Sequence, residues 1–291
     1  MKPLLLFSLL LVFSQTIALS QSNCTSTFAK TIGSALTNER GNSLAIDTIH
    51  KVIYVAGSVN DSTLLLQVDT KGEIVWSRTF DVLQGEPERP STIIMDSEGM
   101  LAISGLTNLS EGGKVYLLKY NPMLDQILWA NEYQSHSNNY TFTLIEKAPG
   151  ENYIISNNPF SPQDAEVLEI DRATGLINET FSKHYHYGSA QTLWDIVRHG
   201  VNLYATGRFT DGAGSENMRT VLLRMDPNNG FTSWIRLGHR PGNVAARLYG
   251  SDLVIDQEKI YSTSHGDPDG SDVTDDQMFI QKTSLEGDVE W

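Results

Sequence analysis

The sequence predicts an all-β fold assembled from five repeats of four short strands. The first observation is an aromatic column, in which Glu179 stands once for tryptophan: Trp76, Trp129, Glu179, Trp234 and Trp291. The second is a turn column four residues earlier: Gly72, Asp125, Gly175, Gly230 and Gly287. These turn residues are types that accept a left-handed backbone. The third observation is that β-type runs surround each turn, while helical periodicity is nearly absent.

Four strands can be read in each repeat, in the order a, b, c and d. Strand a is SLAID, TIIMD, TLIEK, DIVRH or DLVID, and strand b is IYVAGS, LAISGL, YIISNN, LYATGR or IYSTSH. Strand c is LLLQVD, YLLKYN, EVLEID, VLLRMD or FIQKTS, and strand d carries the aromatic column. Units of four short strands with a period of about 50 residues are typical of a β-propeller. A β-sandwich would not require the same turn and aromatic residue in five successive hairpins.

The aromatic column is interpreted as a contact between neighbouring blades. A four-stranded blade cannot bury both of its faces alone, so a large flat side chain on its outer strand can dock on the next blade. The glycines that usually end strand b are expected to let neighbouring backbones approach closely. Both columns therefore predict architecture rather than a ligand site.

VDTKGEIVW, IDRATGLINE and MDPNNGFTSW resemble the tryptophan-docking motif of quinoprotein-like (PQQ-type) propeller repeats. AIDTIHKVIYVAGSVND followed by LLLQVDTKGEIVWSRTF resembles SBBP-type repeats of secreted and surface proteins. The resemblance covers about Asn42 to Trp291, and departs from the pattern at Glu179 and Asp125. It implies a propeller fold; a quinone-dependent member would also hold a quinone and Ca²⁺ on the ring axis. The second cysteine of the vicinal disulfide typical of many such dehydrogenases is absent, because Cys24 is the single cysteine.

The N-terminus indicates secretion. Lys2 precedes the apolar run PLLLFSLLLVF, and Ala18 and Ser20 suit cleavage after Ser20, so residues 1–20 are predicted to be a signal peptide. The run is shorter than the roughly 20 apolar residues that span a bilayer. Residues 21–291 are expected to form one propeller domain without membrane insertion. Five sequons are glycosylation candidates, with weak support from their number: Asn23, Asn60, Asn108, Asn139 and Asn178.

The repeats are placed at approximately 42–80, 91–133, 140–185, 190–238 and 246–291. STFAKTIG at residues 26–33 resembles a d strand without its a, b and c strands, as expected of a strand that closes the last blade. The ring is therefore expected to have six to eight blades and to be C-terminally incomplete here. A closed ring of five blades is the alternative.

Charge restricts the expected partners. Cleavage after Ser20 removes only Lys2 among the charged residues, which leaves 20 basic and 35 acidic residues and a net charge of −15. Such a surface repels nucleic acid. The single Cys24 gives no disulfide framework, so stability is expected to come from a packed core.

Two segments are candidates for metal binding. Asp267, Asp269 and Asp272 lie in HGDPDGSDVTDDQ and place oxygen ligands around one turn, as in Ca²⁺ loops, although the loop lacks the EF-hand pattern. A solvated acidic loop is the alternative interpretation. His184 and His186 would share one face of a strand, without an identifiable third ligand, and the alternative is that they are ordinary surface or interface histidines.

No catalytic constellation is identified, so no catalytic residue is assigned and no cofactor is expected apart from a possible Ca²⁺. The leading hypothesis is a secreted or cell-surface propeller that acts as a non-enzymatic scaffold for an unidentified protein or glycan. One alternative is a hydrolase or quinone-dependent oxidoreductase, for which the discriminating feature would be convergent polar residues at the same end of several blades. The other is an ectodomain whose function lies beyond Trp291. The sequence does not determine the ligand or the oligomeric state.

Overall fold

The computed structural model describes residues 39–82, 87–107, 113–133, 139–159, 164–185, 190–210, 218–238, 247–267 and 277–291. The chain divides into two units, Met1–Ile32 and Gly33–Trp291, and every described residue belongs to the second. The predictions for the signal peptide, Cys24, Asn23 and Asn108 fall outside the described residues.

Antiparallel sheets account for all of the regular structure in these ranges. The first sheet contains β1 (Glu39–Asp47), β2 (Val52–Val59), β3 (Ser62–Asp69) and β4 (Ile74–Phe80). The second contains β5 (Glu88–Met95), β6 (Leu101–Thr107), β7 (Lys114–Asn121) and β8 (Gln126–Tyr133). The third contains β9 (Asn139–Glu146), β10 (Tyr153–Pro159), β11 (Ala165–Ile170) and β12 (Lys183–Tyr185).

The fourth sheet contains β13 (Ala190–His199), β14 (Asn202–Thr210), β15 (Met218–Met225) and β16 (Thr232–Leu237). The fifth contains β17 (Arg247–Asp256), β18 (Lys259–Asp267) and β19 (Gln277–Ser284), and an antiparallel bridge joins Thr283 of β19 to Val289. Each strand pairs with the next along the chain, so each sheet is a meander. The five sheets are numbered below as blades 1 to 5.

The hydrophobic core lies between successive blades. Adjacent residues of one b strand enter different cores because strand side chains alternate between the two faces. Ile155 packs in the cluster between blades 2 and 3, while Ile154 packs in the cluster between blades 3 and 4. The b and c strands of blades 2 to 4 are therefore buried along most of their length. The first strand of each sheet, strand a, is called its inner strand below. The inner strands of successive blades contact one another: β1 contacts β5, β5 contacts β9, β9 contacts β13, and β13 contacts β17. The chain is a β-propeller of four-stranded blades, as the sequence predicts.

A bulge interrupts the pairing of every inner strand with its b strand, between Gly41 and Ser43 in blade 1 and between Leu193 and Asp195 in blade 4. A strand b glycine stands opposite it in blades 1, 2 and 4, whereas Asn157 and Ser264 stand there in blades 3 and 5. A Cβ on Gly57 would lie 1.9 Å from the Arg40 carbonyl oxygen, and one on Gly207 would lie 1.9 Å from that of Thr192. In blades 1 and 4 the bulged backbone passes too close for a side chain at this position, so glycine is needed there.

The outward faces of blades 1 and 5 are more open than the four interfaces. Leu44 of β1 is 57% exposed, whereas Ile93, at the equivalent position of blade 2, is 2% exposed. Val254, Met278 and Ile280 are also exposed on blade 5. The prediction that the ring contains further blades stays a prediction.

A bilayer-spanning helix would have to be long and apolar, and within the nine described ranges no helix meets those criteria.

Candidate functional site

The tryptophan column joins each blade to the turn of the next. Trp129 Nε1 donates to the Arg172 carbonyl oxygen at 3.1 Å, and Tyr133 donates its hydroxyl to the Gly175 carbonyl oxygen at 2.8 Å. Gly175 has a φ of 73°, and a Cβ added there would lie 2.7 Å from the Trp129 ring. Blades 4 and 5 repeat the contact, since a Cβ on Gly287 would lie 3.2 Å from Trp234. In these two blade pairs the tryptophan packs against the turn of the next blade and does not line an open cage for a ligand.

Asp125 replaces glycine in this column and keeps its left-handed backbone, with a φ of 53°. Its carboxylate accepts from Nε and Nη2 of Arg78 and from the Tyr120 hydroxyl. The guanidinium of Arg78 also lies over the Trp76 ring. These hydrogen bonds, first of all that from Arg78, lower the pKa of Asp125. The departure from glycine is therefore accompanied by an ion pair between blades 1 and 2.

Glu179 does not occupy the tryptophan position in blade 3, so the sequence alignment was wrong there. Pairing of Val167 with Lys183 places Phe181 opposite Glu169, as Trp129 stands opposite Lys119 in blade 2. Phe181 is fully buried, and its carbonyl oxygen would meet a Cβ on Gly230 at 2.5 Å. Backbone bonds from Phe181 and Ser182 to the Asn178 carbonyl oxygen form an extra turn that displaces the strand by two residues.

The first glycine of the turn column and the last tryptophan of the aromatic column also lie within the described residues. Gly72 has a φ of 82° in the turn of blade 1. Trp291 exchanges backbone hydrogen bonds with Lys282, and its ring contacts Tyr261 of the same blade with a centroid distance of 6.5 Å. It is 60% exposed.

Substitution of Gly175 by alanine tests the docking contact. Gly99 has a similar φ of 77° with nothing within 4 Å of an added Cβ, so it is a matched control. We expect Gly99→Ala to cost about 1 kcal/mol, the cost of a left-handed alanine. Gly175→Ala should lose at least about 1 kcal/mol more, because its methyl group overlaps Trp129 and Asn131. Urea unfolding of both variants would measure this; equal losses would contradict the contact.

A buried ion cluster links blades 2 and 3. Asp96 accepts from the Tyr153 hydroxyl at 2.6 Å and lies 3.3 Å from Nη2 of Arg172. Arg172 also pairs with Glu98 at 2.8 Å and with Glu146 at 3.2 Å. The side chains of Asp96 and Arg172 are almost inaccessible to solvent. These ionisable groups are thus occupied with one another at a blade interface.

The bulged inner strands are joined by a polar column. Ser43 Oγ accepts from the Ile93 backbone N–H at 3.2 Å in the next blade. Asp195 repeats this link, since its Oδ2 accepts from the Leu253 N–H at 3.0 Å. The Thr143 hydroxyl donates to Asp195 Oδ1 at 3.3 Å. Burial raises the pKa of Asp195, and the nearby Asp252 carboxylate raises it further.

The raised pKa predicts a pH effect for Asp195→Asn. A carboxyl group whose folded pKa exceeds its unfolded pKa stabilises the fold fully below the unfolded pKa, and this contribution is lost as pH rises through the folded value. Asparagine does not ionise, so the unfolding free energy of the Asp195→Asn variant should increase relative to that of the wild type from pH 4 to pH 8. Unfolding free energies at several pH values would measure this, and a pH-independent difference would contradict it.

Two arginines stand at equivalent positions where the inner strands of blades 1 and 2 begin. Arg40 pairs with Ser58 in the strand register, and Arg89 pairs with Leu106. The strands meet there, since Asn42 Nδ2 donates to the Pro90 carbonyl oxygen at 2.5 Å. Arg40, Asn42 and Arg89 are exposed, and we call them the β1–β5 surface. The sequence signal is the paired ERGNS and ERPST, which sequence analysis missed.

The carboxylates that precede these arginines do not neutralise them. Glu88 is fully buried, and its Oε2 accepts from the Thr63 hydroxyl at 2.7 Å in blade 1. Over the described part of the chain, Arg40 and Arg89 have no ion-pair partner, whereas Arg78, Arg172 and Arg224 pair with carboxylates. The surface therefore presents two available guanidinium groups in an acidic protein.

The predicted metal sites are only partly within the described residues. Asp267 ends β18, whereas Asp269 and Asp272 lie outside the described residues. His184 Nε2 lies 3.3 Å from Glu166 Oε1, and His186 lies outside the described residues. Within the described ranges, no group of three or more His, Cys, Asp or Glu side chains is arranged to hold a metal ion.

Three predicted sequons are within the described ranges. Asn60 is exposed in the two-residue turn between β2 and β3, with φ values of 46° at Asn60 and 64° at Asp61. Asn178 Oδ1 accepts from the Thr180 N–H at 3.1 Å. Asn139 begins β9 and pairs in register with Pro159.

Known proteins resemble this chain in structure but not in sequence. No family model and no curated protein matches it. A protein from Lactobacillus plantarum matches with a TM-score of 0.59 and 11% identity, over 86% of this chain and 69% of that one. Kuenenia stuttgartiensis hydrazine synthase matches with a TM-score of 0.57 and 11% identity, over 86% and 64%. Extracellular domains 1–2 of Drosophila semaphorin 1a match with a TM-score of 0.54 and 11% identity, over 84% and 53%. These likenesses show the fold alone.

Proposed function

We propose that the chain is a secreted or cell-surface β-propeller that binds a protein or glycan without transforming it. The observation that carries this proposal is the β1–β5 surface, where Arg40 and Arg89 are exposed without ion-pair partners in the described residues. Loops and strand ends held by a rigid scaffold are common sites of binding.

The buried ionisable groups support a binding role because contacts within the scaffold occupy them. Between blades 2 and 3, Asp96 pairs with Arg172 and Lys119, and Glu146 pairs with Arg172. Asp195 accepts a backbone hydrogen bond from blade 5. A general acid or base must instead reach the substrate proton through a hydrogen bond or one water.

Secretion through residues 1–20 and glycosylation of Asn60 and Asn178 belong to this proposal. The exposed turn at Asn60 and the exposed Glu179–Thr180 segment after Asn178 give access to a modifying enzyme. The contacts of Trp129 with Gly175 and Trp234 with Gly287 support assignment to quinoprotein-like or SBBP-type repeats. We propose no resident cofactor.

The experiment is a binding screen of the chain from residue 21 onward against immobilised extracellular glycans and secreted proteins. We expect saturable, reversible binding, with the partner recovered at unchanged mass. Substitution of Arg40 and Arg89 should weaken binding, whereas substitution of Arg198 should not. Arg198 is a matched control because it is exposed and has no partner in the described ranges. It lies near the end of its inner strand, β13, whereas Arg40 and Arg89 lie near the beginning of theirs. Conversion of the partner in proportion to protein concentration would contradict the proposal.

A further inference from the structure

We infer that the β1–β5 surface binds a carboxylate group of an anionic ligand between Arg40 and Arg89. This inference rests on the proposed function and specifies its ligand chemistry. Two contacts hold the strands together at this surface. Asn42 Nδ2 donates to the Pro90 carbonyl oxygen at 2.5 Å, and the Ile93 N–H donates to Ser43 Oγ at 3.2 Å. The backbones that carry the two arginines are therefore fixed relative to each other.

Chemistry favours an anion with at least two oxygen atoms. A guanidinium group presents a planar set of donors that matches carboxylate geometry, and such charge-assisted bonds are stronger than neutral ones. Asn42 retains its amide oxygen and a second N–H, which can bind a hydroxyl group beside the anion.

Among the five described blades, only blades 1 and 2 carry a positive charge at this inner-strand position. The equivalent residues of blades 3 to 5 are Tyr140, Thr192 and Tyr249, as the strand register shows. The carboxylate of Glu88 is directed into the blade 1 interface, where it binds Thr63. The described carboxylates therefore leave the two guanidinium groups available to an external anion.

The test is calorimetric titration of the chain from residue 21 onward with citrate, and separately with polygalacturonate, at constant ionic strength. The first probe represents a free small anion, and the second represents the same group on a polymer. We expect saturable binding of at least one probe, which weakens as NaCl is added. Arg40→Gln and Arg89→Gln should each weaken binding at least about tenfold, the usual effect of losing a charged hydrogen bond. Arg198→Gln should leave it unchanged.

Binding of citrate alone would assign a small-molecule anion, and binding of polygalacturonate alone would assign an acidic polymer. The inference is overturned if neither probe binds, or if Arg198→Gln weakens binding as much as Arg40→Gln does. Thermal unfolding should show that the exposed substitutions leave the fold intact. A partner from the screen that still binds the Arg40→Gln and Arg89→Gln variants would overturn the anion site, while its recovery at unchanged mass would still support a binding role at another surface.

Discussion

Arg172→Met should lose about 3–5 kcal/mol of unfolding free energy, the usual cost of breaking a buried ion pair by removing one partner. Methionine preserves much of the apolar stem but leaves Asp96 inaccessible to solvent, with less compensating charge. Glu146 would lose the same partner. Chemical denaturation of the wild type and the variant would measure the loss.

Arg78→Met is the matched control for this prediction. Arg78 also pairs with a carboxylate across a blade interface, at Asp125, but both side chains are well exposed. Water replaces most of an exposed pair, so the control should change stability far less. Equal losses in the two variants would show that burial does not determine the strength of the Arg172 cluster.

Gly207→Ala should destabilise the protein by at least about 3 kcal/mol, at the upper end for overpacking. Its methyl group would lie 1.9 Å from the Thr192 carbonyl oxygen and 2.9 Å from the Leu193 Cα. Both obstacles are backbone atoms of the bulged inner strand, so no rotamer change relieves the overlap. The unfolding midpoint in urea is the measurement.

Gly41→Ala provides the comparison, because it adds the same methyl group near the bulge of blade 1. There the nearest atom is Val55 Cγ1 at 3.5 Å, an ordinary van der Waals contact. We expect a change of about 0.5 kcal/mol or less, as for most substitutions without steric conflict. A loss at Gly41 as large as that at Gly207 would mean that the bulge tolerates no alanine on either strand.

The candidate site illustrates where sequence reasoning stopped. The sequence contains the same Glu-Arg pair at Glu39–Arg40 and at Glu88–Arg89. It does not indicate a binding site, because sequence does not reveal which of these charges have partners in the fold. The structure separates them by directing Glu88 towards Thr63 and leaving Arg89 exposed. The surroundings of a charged group depend on side chains of other blades, and Thr63, which binds Glu88, is 25 residues away from it in the sequence.

The sequence by itself determined the blade architecture, because strand alternation, left-handed turns and the strand b glycines are local requirements of the backbone. It did not locate the blade 3 docking residue, since only the pairing of Val167 with Lys183 shows that Phe181 replaces Glu179. Nor did it reveal the Asp96–Arg172 cluster or the two available arginines. Those features depend on which distant residues the packed blades bring into contact, and the tertiary structure alone decides that.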